Sequence, residues 1–390
     1  MELGGNGTHS GVSVSLPYGS VQLKILQISS AQAFGGGERH LVDLSNELTR
    51  RRHEVFAIVR PRSPLVPRLT ELSPEHIQTL PLRNALDVSS ANQLAAFVKR
   101  HKIEIVHAHM ARDYSLAAFA TRRNPGTRLI VTRHVLFRLN RLHSRVLSRA
   151  SRVIAVSEAV ARELRKQNLL SASKISVVRN GVDVDALSTV RDSIQRQQQF
   201  VKYGFPSDAL VAGTVGQLSP LKGHDVFIQA AATVAENLPN ARFVIAGSDV
   251  SRDGETVVAL TRLTRELGVE NHFRFVGAVD DVSSVLSVLD LFVSASRSEA
   301  FGLAMVEAMA CSMPIVATDT EGAREVVEEQ ETGLLVPVGD HEALAASITR
   351  LLSDSKLRAR MGQLALDRAR EQFSLQRMVD EVEAIYRGDV

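Results

Sequence analysis

The feature that most constrains the fold of this chain is a regular alternation of short apolar runs with longer segments of helical periodicity. After the first apolar run, for example, Leu41, Leu44 and Leu48 recur at helical spacing. Such alternation is typical of parallel sheets covered by helices on both faces, so we predict an α/β fold. The predicted strands cover residues 23–28, 55–59, 77–80, 103–107, 129–132, 153–156, 175–178, 210–215, 243–246, 273–276, 291–293, 315–317 and 334–336.

The alternation pauses once, at a polar stretch over residues 185–199 that contains three consecutive glutamines. The pause predicts two Rossmann-like domains facing a central cleft, over residues 21–190 and 206–370, with a linker at 191–205. Residues 1–20 are rich in Gly and Ser and are expected to form a flexible tail. Residues 371–390 are predicted to contain a terminal helix, because Met378, Val382 and Ile385 share roughly one face.

Composition places the chain among ordinary globular proteins, with 44% hydrophobic and 23% charged residues. No apolar run approaches the 18 or so residues that a membrane-spanning helix needs. The N-terminus shows no basic segment followed by an apolar core, so we expect no secretory signal. The single cysteine, Cys311, excludes an internal disulfide and fits a reducing cytoplasm.

Charge is distributed unevenly along the chain. Residues 1–200 contain 29 Lys and Arg against 15 Asp and Glu, whereas the remainder contains 17 against 28. The basic half is therefore expected either to meet an anionic acceptor or membrane surface, or to attract the acidic half of the same molecule.

Two glutamates separated by seven residues form the most informative motif. A predicted strand ends at residue 293, Glu299 follows it, and Glu307 lies within the small-residue helix that comes next. Gly302 stands at the mouth of this helix, where unpaired backbone N–H groups and the helix dipole favour a phosphate. The motif therefore predicts a phosphate site flanked by two carboxylates that can accept hydrogen bonds from hydroxyl groups.

This motif resembles the E-x7-E signature of the retaining GT-B glycosyltransferases of family 4, also called group 1 glycosyltransferases. The resemblance extends over residues 23–388 and implies a UDP- or GDP-sugar donor in the second lobe and an acceptor mainly in the first. It also implies that the terminal helix crosses back to the first lobe. The implied donor contacts are Glu299 to the sugar, Glu307 to the ribose, the backbone of Phe301, Gly302 and Leu303 to the phosphates, and Gly277 and Val279 to the base.

Two glycine-containing segments add to the predicted donor site. Gly36 and Gly37 follow the first strand; the G-x-G-x-x-G fingerprint is not met, but the position matches the family's glycine loop. A second segment resembles the family's G-R-L-x-x-x-K-G sequence and supplies Lys222 as a point charge for the diphosphate. Gln217 replaces the family's arginine there, so either the diphosphate is held less tightly or another cation compensates. The candidates for that cation are Arg133, Arg297 and Arg39.

Histidines end two predicted strands of the first lobe, where sites of open parallel sheets lie. By resemblance, His134 contacts the donor sugar or the acceptor near the reacting carbon, and His109 is a second histidine of the cleft. Arg133, which precedes His134, is placed with them on the acceptor side. No Asp-x-Asp pair accompanies these strand ends, so we expect no metal.

Arginines recur every three or four residues at Arg138, Arg141, Arg145 and Arg149. With the intervening leucines they predict an amphipathic basic helix over residues 138–149. Such a helix either lies on an anionic membrane surface or presents a solvated face. Aromatic residues make up only 5% of the chain and no recognition motif appears, so nucleic acid is not an expected partner.

Together these features predict a retaining glycosyltransferase of cell-envelope polysaccharide, lipopolysaccharide or glycolipid synthesis, with His134, Glu299 and Lys222 as its catalytic residues. It would use a nucleotide-diphosphate sugar as donor substrate, a saccharide or lipid-linked acceptor, and no permanently bound cofactor. We expect it in the cytoplasm, alternatively on the inner face of the cytoplasmic membrane. Two other hypotheses are a GT-B sugar-nucleotide epimerase or hydrolase, and a non-catalytic two-lobed binding protein.

Overall fold

The computed structural model describes residues 21–139, 141–190 and 193–389 and contains two separate sheets in which every strand pair is parallel. Each predicted strand is present, so the predicted α/β class is confirmed. The strands are β1 Lys24–Ser29, β2 Glu54–Val59, β3 Ile77–Thr79, β4 Ile105–Ala108, β5 Arg128–Arg133, β6 Arg152–Ala155, β7 Ile175–Val177, β8 Leu210–Val215, β9 Ala241–Ala246, β10 Phe273–Gly277, β11 Leu291–Ser294, β12 Ile315–Thr318 and β13 Gly333–Val336.

Both sheets have the strand order of a Rossmann fold. The first sheet runs β3-β2-β1-β4-β5-β6-β7, and the second runs β10-β9-β8-β11-β12-β13. The order reverses between β1 and β4 in the first lobe and between β8 and β11 in the second. Ligands of such sheets bind at this reversal, beyond the carboxyl ends of the strands.

Helices cover both sheets and connect their strands. The helices are α1 Gly36–Arg50, α2 Val88–His101, α3 Tyr114–Arg122, α4 Arg141–Leu147, α5 Glu158–Gln167, α6 Val184–Ser188, α7 Ser193–Tyr203, α8 His224–Asn237, α9 Glu255–Glu266, α10 Ser283–Leu286, α11 Leu303–Ala310, α12 Glu321–Val326, α13 His341–Ser353, α14 Ser355–Gln372 and α15 Leu375–Arg387. Within the described residues, no helix is long and apolar enough to cross a membrane.

The two lobes pack directly against each other. One apolar cluster contains Val106 of β4 together with Phe292 of β11 and Val306 of α11. Polar contacts reinforce this packing: Glu325 of the second lobe accepts from the backbone N–H of Glu158, at 2.9 Å, and from Arg179 of the first lobe, at 2.8 Å. The cleft between the lobes therefore has walls fixed by a shared core.

The segment predicted as a linker is mostly helical, because α7 occupies residues 193–203. Apolar packing explains the helix: the rings of Phe200 and Phe205 lie 5.8 Å apart, and the Arg196 guanidinium lies 4.7 Å from the Phe200 ring. Arg196 also pairs with Asp290 at 2.9 Å. The polar composition of the segment hid these contacts. The predicted tail, residues 1–20, lies outside the described residues.

The predicted basic helix over residues 138–149 is wrong in its extent, because α4 covers only Arg141–Leu147. Before α4, the backbone N–H of Leu139 donates to Gln167 Oε1 at 2.9 Å. The Phe137 carbonyl accepts a hydrogen bond from Arg133. These tertiary bonds hold the backbone outside a helix, so Arg138 and Arg149 flank α4 rather than sharing its face.

The terminal helix α15 packs on the first lobe, as the resemblance implies. Its buried Met378, Val382 and Tyr386 belong to an apolar cluster with residues of β1 and α1. Where the chain returns to the first lobe, Ser374 packs against Gly181. A Cβ on Gly181 would lie 2.4 Å from the Ser374 carbonyl oxygen, so only glycine fits there. The last helix thus contributes side chains beneath the cleft.

Candidate active site

A cleft of about 1340 Å³ lies between the lobes, at the carboxyl ends of β1, β4, β5, β8 and β11. Most of the predicted site residues line it. They are Gly36, Gly37, His109, Arg133, His134, Gln217, Lys222, Val279, Glu299, Phe301, Gly302, Leu303 and Glu307. Gly277 is an exception: it ends β10 and is not among the lining residues, although its neighbours Ala278 and Val279 are.

An ion pair joins the two second-lobe residues of the greatest predicted importance. Lys222 Nζ lies 2.6 Å from Glu299 Oε2, and Ser296 Oγ donates to the same oxygen at 3.3 Å. The loop of Glu299 is fixed from behind by Gly322, whose N–H donates to the Glu299 carbonyl at 3.2 Å. A cation and a carboxylate thus lie side by side in the cleft. Lys222 can bind phosphate oxygens, and Glu299 can accept hydrogen bonds from sugar hydroxyls.

The N-terminus of α11 opens into the same cleft. Gly302 precedes this eight-residue helix with φ +100, and a Cβ there would lie 2.1 Å from Met305 Cε. A side chain would therefore be both strained and obstructed at this position. The first N–H groups of the helix have no intrahelical acceptor, so this end favours an anion.

The buried Glu307 belongs to a charge cluster that spans the two lobes and includes the half-buried Arg39 and Asp43. Its Oε1 atom lies 3.8 Å from Arg39 of α1, and Arg39 pairs with Asp43 at 3.1 Å. Burial raises the pKa of Glu307 to about 7, although Arg39 lowers it in part. Burial likewise raises the pKa of Asp43 to about 6. Near neutral pH, Glu307 therefore lies between its protonated and ionised forms.

The glycine loop after β1 brings the first lobe close to the second. A Cβ on Gly35 would lie 3.3 Å from Gln217 Nε2, and one on Gly36 would lie 3.8 Å from the Leu303 Cβ. A Cβ on Gly37 would lie 3.2 Å from the His134 ring. Glycine here allows backbone, imidazole and the second lobe to approach one another closely.

A chain of hydrogen bonds runs under the first-lobe wall from α15 to the cleft. His134 Nε2 lies 3.2 Å from His109 Nδ1, and His109 Nε2 lies 2.8 Å from Gln27 Oε1. Gln27 Nε2 donates to the Tyr386 hydroxyl at 3.3 Å, and that hydroxyl lies 2.5 Å from His107 Nδ1.

The Gln27 side-chain oxygen, which can only accept, determines which group donates at each hydrogen bond from His134 to Gln27. Because that oxygen cannot donate, His109 carries its proton on Nε2, and its bare Nδ1 accepts from His134. His134 Nδ1 is then bare, and it is buried without a hydrogen-bond partner in the described structure. We call Gln27, His107, His109, His134 and Tyr386 the histidine relay.

These histidines are neutral at physiological pH. Burial, reinforced by the neighbouring imidazoles, lowers the pKa of His107, His109 and His134 well below the ordinary value of 6.5. Burial lowers the pKa of His40, which packs against His134, to about 4. The wall therefore offers oriented neutral imidazoles to a ligand rather than a protonated acid.

Of the three candidate arginines for compensating Gln217, two have carboxylate partners. Arg297 forms hydrogen bonds with both oxygens of Asp225, at 2.9 and 2.6 Å, and donates to the Pro220 carbonyl. Its function is to fix the loop of Lys222. Arg39 contacts Asp43 and Glu307 as described above. Arg133 alone among the three lines the cleft without a carboxylate within ion-pair distance in the described residues.

Several cleft residues were missed by sequence reasoning. Asn180 is not among the predicted site residues, yet it lines the cleft next to His40. Arg68 and Asp280 form an ion pair across the cleft at 2.5 Å. The Arg68–Asp280 pairing has no local sequence signal, because it depends on how the two lobes face each other.

Three histidines could together hold a metal ion. The nearest ring nitrogens of His40, His109 and His134 lie within 4.8 Å of one another. Neutral imidazoles are suitable ligands for zinc. The hydrogen bond between His109 and His134, however, already uses one nitrogen of each ring, so it accounts for the proximity of these two rings, whereas His40 is not part of the relay.

Comparison with known proteins agrees with this geometry. The family model described as Glycosyl transferases group 1 matches residues 195–368, and the model described as Glycosyltransferase Family 4 matches residues 34–186. Together they cover most of both lobes; the Family 4 match ends, and the group 1 match begins, near the segment that connects the two sheets.

Curated relatives match along nearly the whole chain. The N-acetyl-alpha-D-glucosaminyl L-malate synthase of Bacillus anthracis is 28% identical, over 94% of this chain and 97% of its own length. A D-inositol 3-phosphate glycosyltransferase of Salinispora arenicola is 27% identical, over 90% of this chain and 87% of its own length.

Solved structures share the two-lobed architecture. A glycosyltransferase from Rickettsia africae has a TM-score of 0.83 with 23% identity, over 94% of this chain and 98% of its own. Anabaena HepE, solved with UDP and glucose, has a TM-score of 0.81 with 22% identity, over 93% and 99%. These likenesses confirm the GT-B fold. Together with the two family models and the full-length relatives, they show that this chain is a GT-B enzyme and belongs to glycosyltransferase family 4, the group 1 glycosyltransferases.

Proposed function

We propose that this enzyme is a retaining glycosyltransferase that moves a sugar from a UDP- or GDP-linked donor to an acceptor hydroxyl. The observation that carries the proposal is the 2.6 Å contact between Lys222 and Glu299 beside the N-terminus of α11. A cation that can bind phosphate, Lys222, is thus adjacent to a carboxylate, Glu299, that can accept hydrogen bonds from sugar hydroxyls. The relatives' glycosyltransferase names and the UDP and glucose of the HepE structure support a donor of this kind.

In the proposed reaction, the bond between the anomeric carbon and the β-phosphate oxygen breaks, the acceptor oxygen bonds to that carbon, and the acceptor's proton is taken up by the departing phosphate. The departing diphosphate gains negative charge. Lys222, the first N–H groups of α11 and the glycine loop would stabilise that charge. Glu299 would hold the sugar hydroxyls and Glu307 the ribose hydroxyls, while the backbone near Val279 would meet the base.

We infer that the first-lobe wall positions the acceptor and the sugar. His134, a neutral ring whose Nε2–H donates to His109, would contact the sugar or the acceptor near the reacting carbon. It would not donate a proton from an imidazolium, because burial keeps its pKa low. The proposed reaction needs no resident cofactor or metal, since Lys222 and α11 already oppose the charge of the leaving group. Activity should therefore survive dialysis against EDTA.

The experiment that tests the function is incubation of the protein with a panel of UDP- and GDP-sugars and candidate acceptors, followed by product analysis. Transfer with the donor's anomeric configuration kept, as seen by NMR coupling constants, is the expected result. Free sugar or a rearranged donor without transfer would instead indicate the epimerase or hydrolase hypothesis. Binding without turnover would indicate a binding protein.

The proposed setting is cell-envelope polysaccharide, lipopolysaccharide or glycolipid synthesis, in the cytoplasm and at the inner face of its membrane. Phe137 is 65% exposed, and the Arg138 side chain beside it is 88% exposed, both at the first-lobe mouth of the cleft. Arg145 and Arg149 are exposed nearby in sequence. An aromatic ring flanked by arginines suits an anionic lipid surface.

Vesicle co-sedimentation tests this setting. The protein should sediment with anionic but not neutral vesicles, and moderate salt should release it, because surface charge is screened within about 10 Å at 0.1 M salt. Changing Arg138, Arg145 and Arg149 to Gln should abolish sedimentation and leave nucleotide binding unchanged. A wild-type protein that ignores anionic vesicles at low salt would favour a soluble acceptor.

A further inference from the structure

Arg133 is a buried cation that faces the cleft. It ends β5, is 6% exposed and donates to the Phe137 carbonyl. It also lies beside the buried phenol of Tyr114, whose hydroxyl donates to the Thr132 carbonyl at 2.8 Å. No carboxylate of the described residues lies within ion-pair distance of its guanidinium. A buried charge usually has a partner of opposite sign, so this position favours an anionic ligand.

The first-lobe side of the cleft carries an excess of positive charge. Its lining residues include five arginines and one carboxylate, Glu38. Two of the arginines meet carboxylates of the second lobe, Arg39 at Glu307 and Arg68 at Asp280. The three others are Arg112, Arg133 and Arg138, and of these only Arg133 is buried.

The sheet order separates Arg133 from the expected position of the donor diphosphate. The glycine loop follows β1, whereas Arg133 ends β5, two strands along the order β1-β4-β5. Neighbouring strands lie about 4.8 Å apart, so the two strand ends are roughly 10 Å apart. Lys222 and the α11 N-terminus belong to the opposite wall. Arg133 therefore suits a second anionic group, on the acceptor side of the cleft.

Resting on the function proposed above, we infer that the acceptor carries a carboxylate or phosphate group and that Arg133 binds it. The adjacent His134 packs against the His109 ring and lies close to Gly37. An acceptor held at Arg133 would thus present its hydroxyl on the His134 side, toward the donor sugar. A guanidinium can bind either anion through two parallel hydrogen bonds. A small organic acid, a phosphate ester and a lipid diphosphate all satisfy this chemistry.

Calorimetric titration of the UDP- or GDP-loaded protein tests the inference and distinguishes the sources. The probes are L-malate, inositol 3-phosphate, a short-chain isoprenyl diphosphate and, as the neutral comparison, inositol. At least one anion should bind about tenfold or more tightly than inositol, in line with hydrogen bonds to a charged group. Arg133→Gln should remove this preference and leave the nucleotide Kd within about twofold, whereas Arg133→Lys should keep part of the preference.

Arg149→Gln provides a matched control, because it removes an exposed arginine that does not line the cleft. Equal binding of anions and inositol to the wild-type protein, or no binding of any probe, would overturn the inference. A loss of nucleotide affinity in Arg133→Gln as large as the loss of anion affinity would also overturn it and would assign the arginine to the donor. If neither nucleotide binds the wild-type protein, the proposed function fails, while the same titrations without nucleotide still test Arg133.

Discussion

The two walls of the cleft stabilise their polar groups in different ways, one by hydrogen bonds between neutral side chains and the other by an ion pair. Beneath the first-lobe wall lies a network of neutral groups, the histidine relay, whose donors and acceptors are matched in one direction. The second-lobe wall contains the Lys222–Glu299 ion pair and the open end of α11. Neutral networks hold a fixed geometry, whereas an ion pair at a cleft surface can exchange its partners for those of a ligand. We therefore expect the relay under the first wall to position the substrates and the second wall to bind the donor diphosphate, whereas Arg133 of the first wall is assigned to the anionic group of the acceptor.

The largest expected effect is on the second wall, at Glu299. Glu299→Gln keeps the size of the side chain but removes the charge that holds Lys222 and accepts from the sugar. Turnover should fall by roughly two to three orders of magnitude, comparable to removing a group that stabilises a transition state. Kinetics with a transferable donor would measure it. Glu331→Gln, an exposed loop change in the same lobe, is the control. Near-wild-type turnover in a folded Glu299→Gln protein would refute the role of this residue.

The cluster of Glu307, Arg39 and Asp43 predicts a pH dependence that links the walls. Between the ordinary pKa of 4.5 and about 7, folded Glu307 keeps a proton that the unfolded chain has released. Stability should therefore fall as pH rises across this window, by up to about 3 kcal/mol, and stay level above it. Urea denaturation at a series of pH values would show the decline, and Glu307→Gln should reduce its slope, leaving the part that Asp43 contributes up to about pH 6. An unchanged slope in that variant would exclude Glu307 as the cause.

On the first wall, Tyr386→Phe should break the relay. His107 Nδ1 and Gln27 Nε2 would each lose a buried partner, which costs about 1–3 kcal/mol of unfolding free energy. Chemical denaturation is the measurement. Tyr203→Phe is a matched control, because the Tyr203 hydroxyl has no hydrogen-bond partner in the described structure. Equal stability of the two variants would mean that the relay does not hold this wall together.

The smallest expected effect concerns Gln217, which lines the second wall close to Gly35. Gln217→Arg adds a cation near the proposed diphosphate position and should tighten nucleotide diphosphate binding about tenfold, as a charged hydrogen bond would. Gln217→Met, of similar length and without charge, controls for packing. Calorimetry that shows no gain would mean that Lys222 and the end of α11 already satisfy the diphosphate.

The sequence predicted the strands and the second wall well, for physical reasons. Parallel strands buried on both faces appear as short apolar runs, and the elements of the second wall follow their strands within a few residues. Glu299, Gly302 and Lys222 could therefore be recognised locally. The α7 helix was missed because polar residues outnumber the Phe200 and Phe205 that anchor it.

The first wall was only partly accessible to sequence reasoning. His109 and His134 stand at strand ends, but the relay joins Gln27 to Tyr386, which lies 359 residues further along the chain. No local pattern records such a pairing. The predicted extent of the basic helix was wrong for a related reason: the Leu139 N–H donates to the side chain of Gln167, which lies 28 residues further along the chain.

The most direct test of the difference between the walls is a titration of UDP and GDP into three proteins. Lys222→Met alters the second wall, and His109→Asn alters the relay of the first. Our account predicts that Lys222→Met weakens binding of the preferred nucleotide about tenfold or more. It also predicts that His109→Asn leaves that Kd within about twofold of the wild type while transfer slows. Equal losses of nucleotide affinity in the two variants, or a loss confined to His109→Asn, would contradict it.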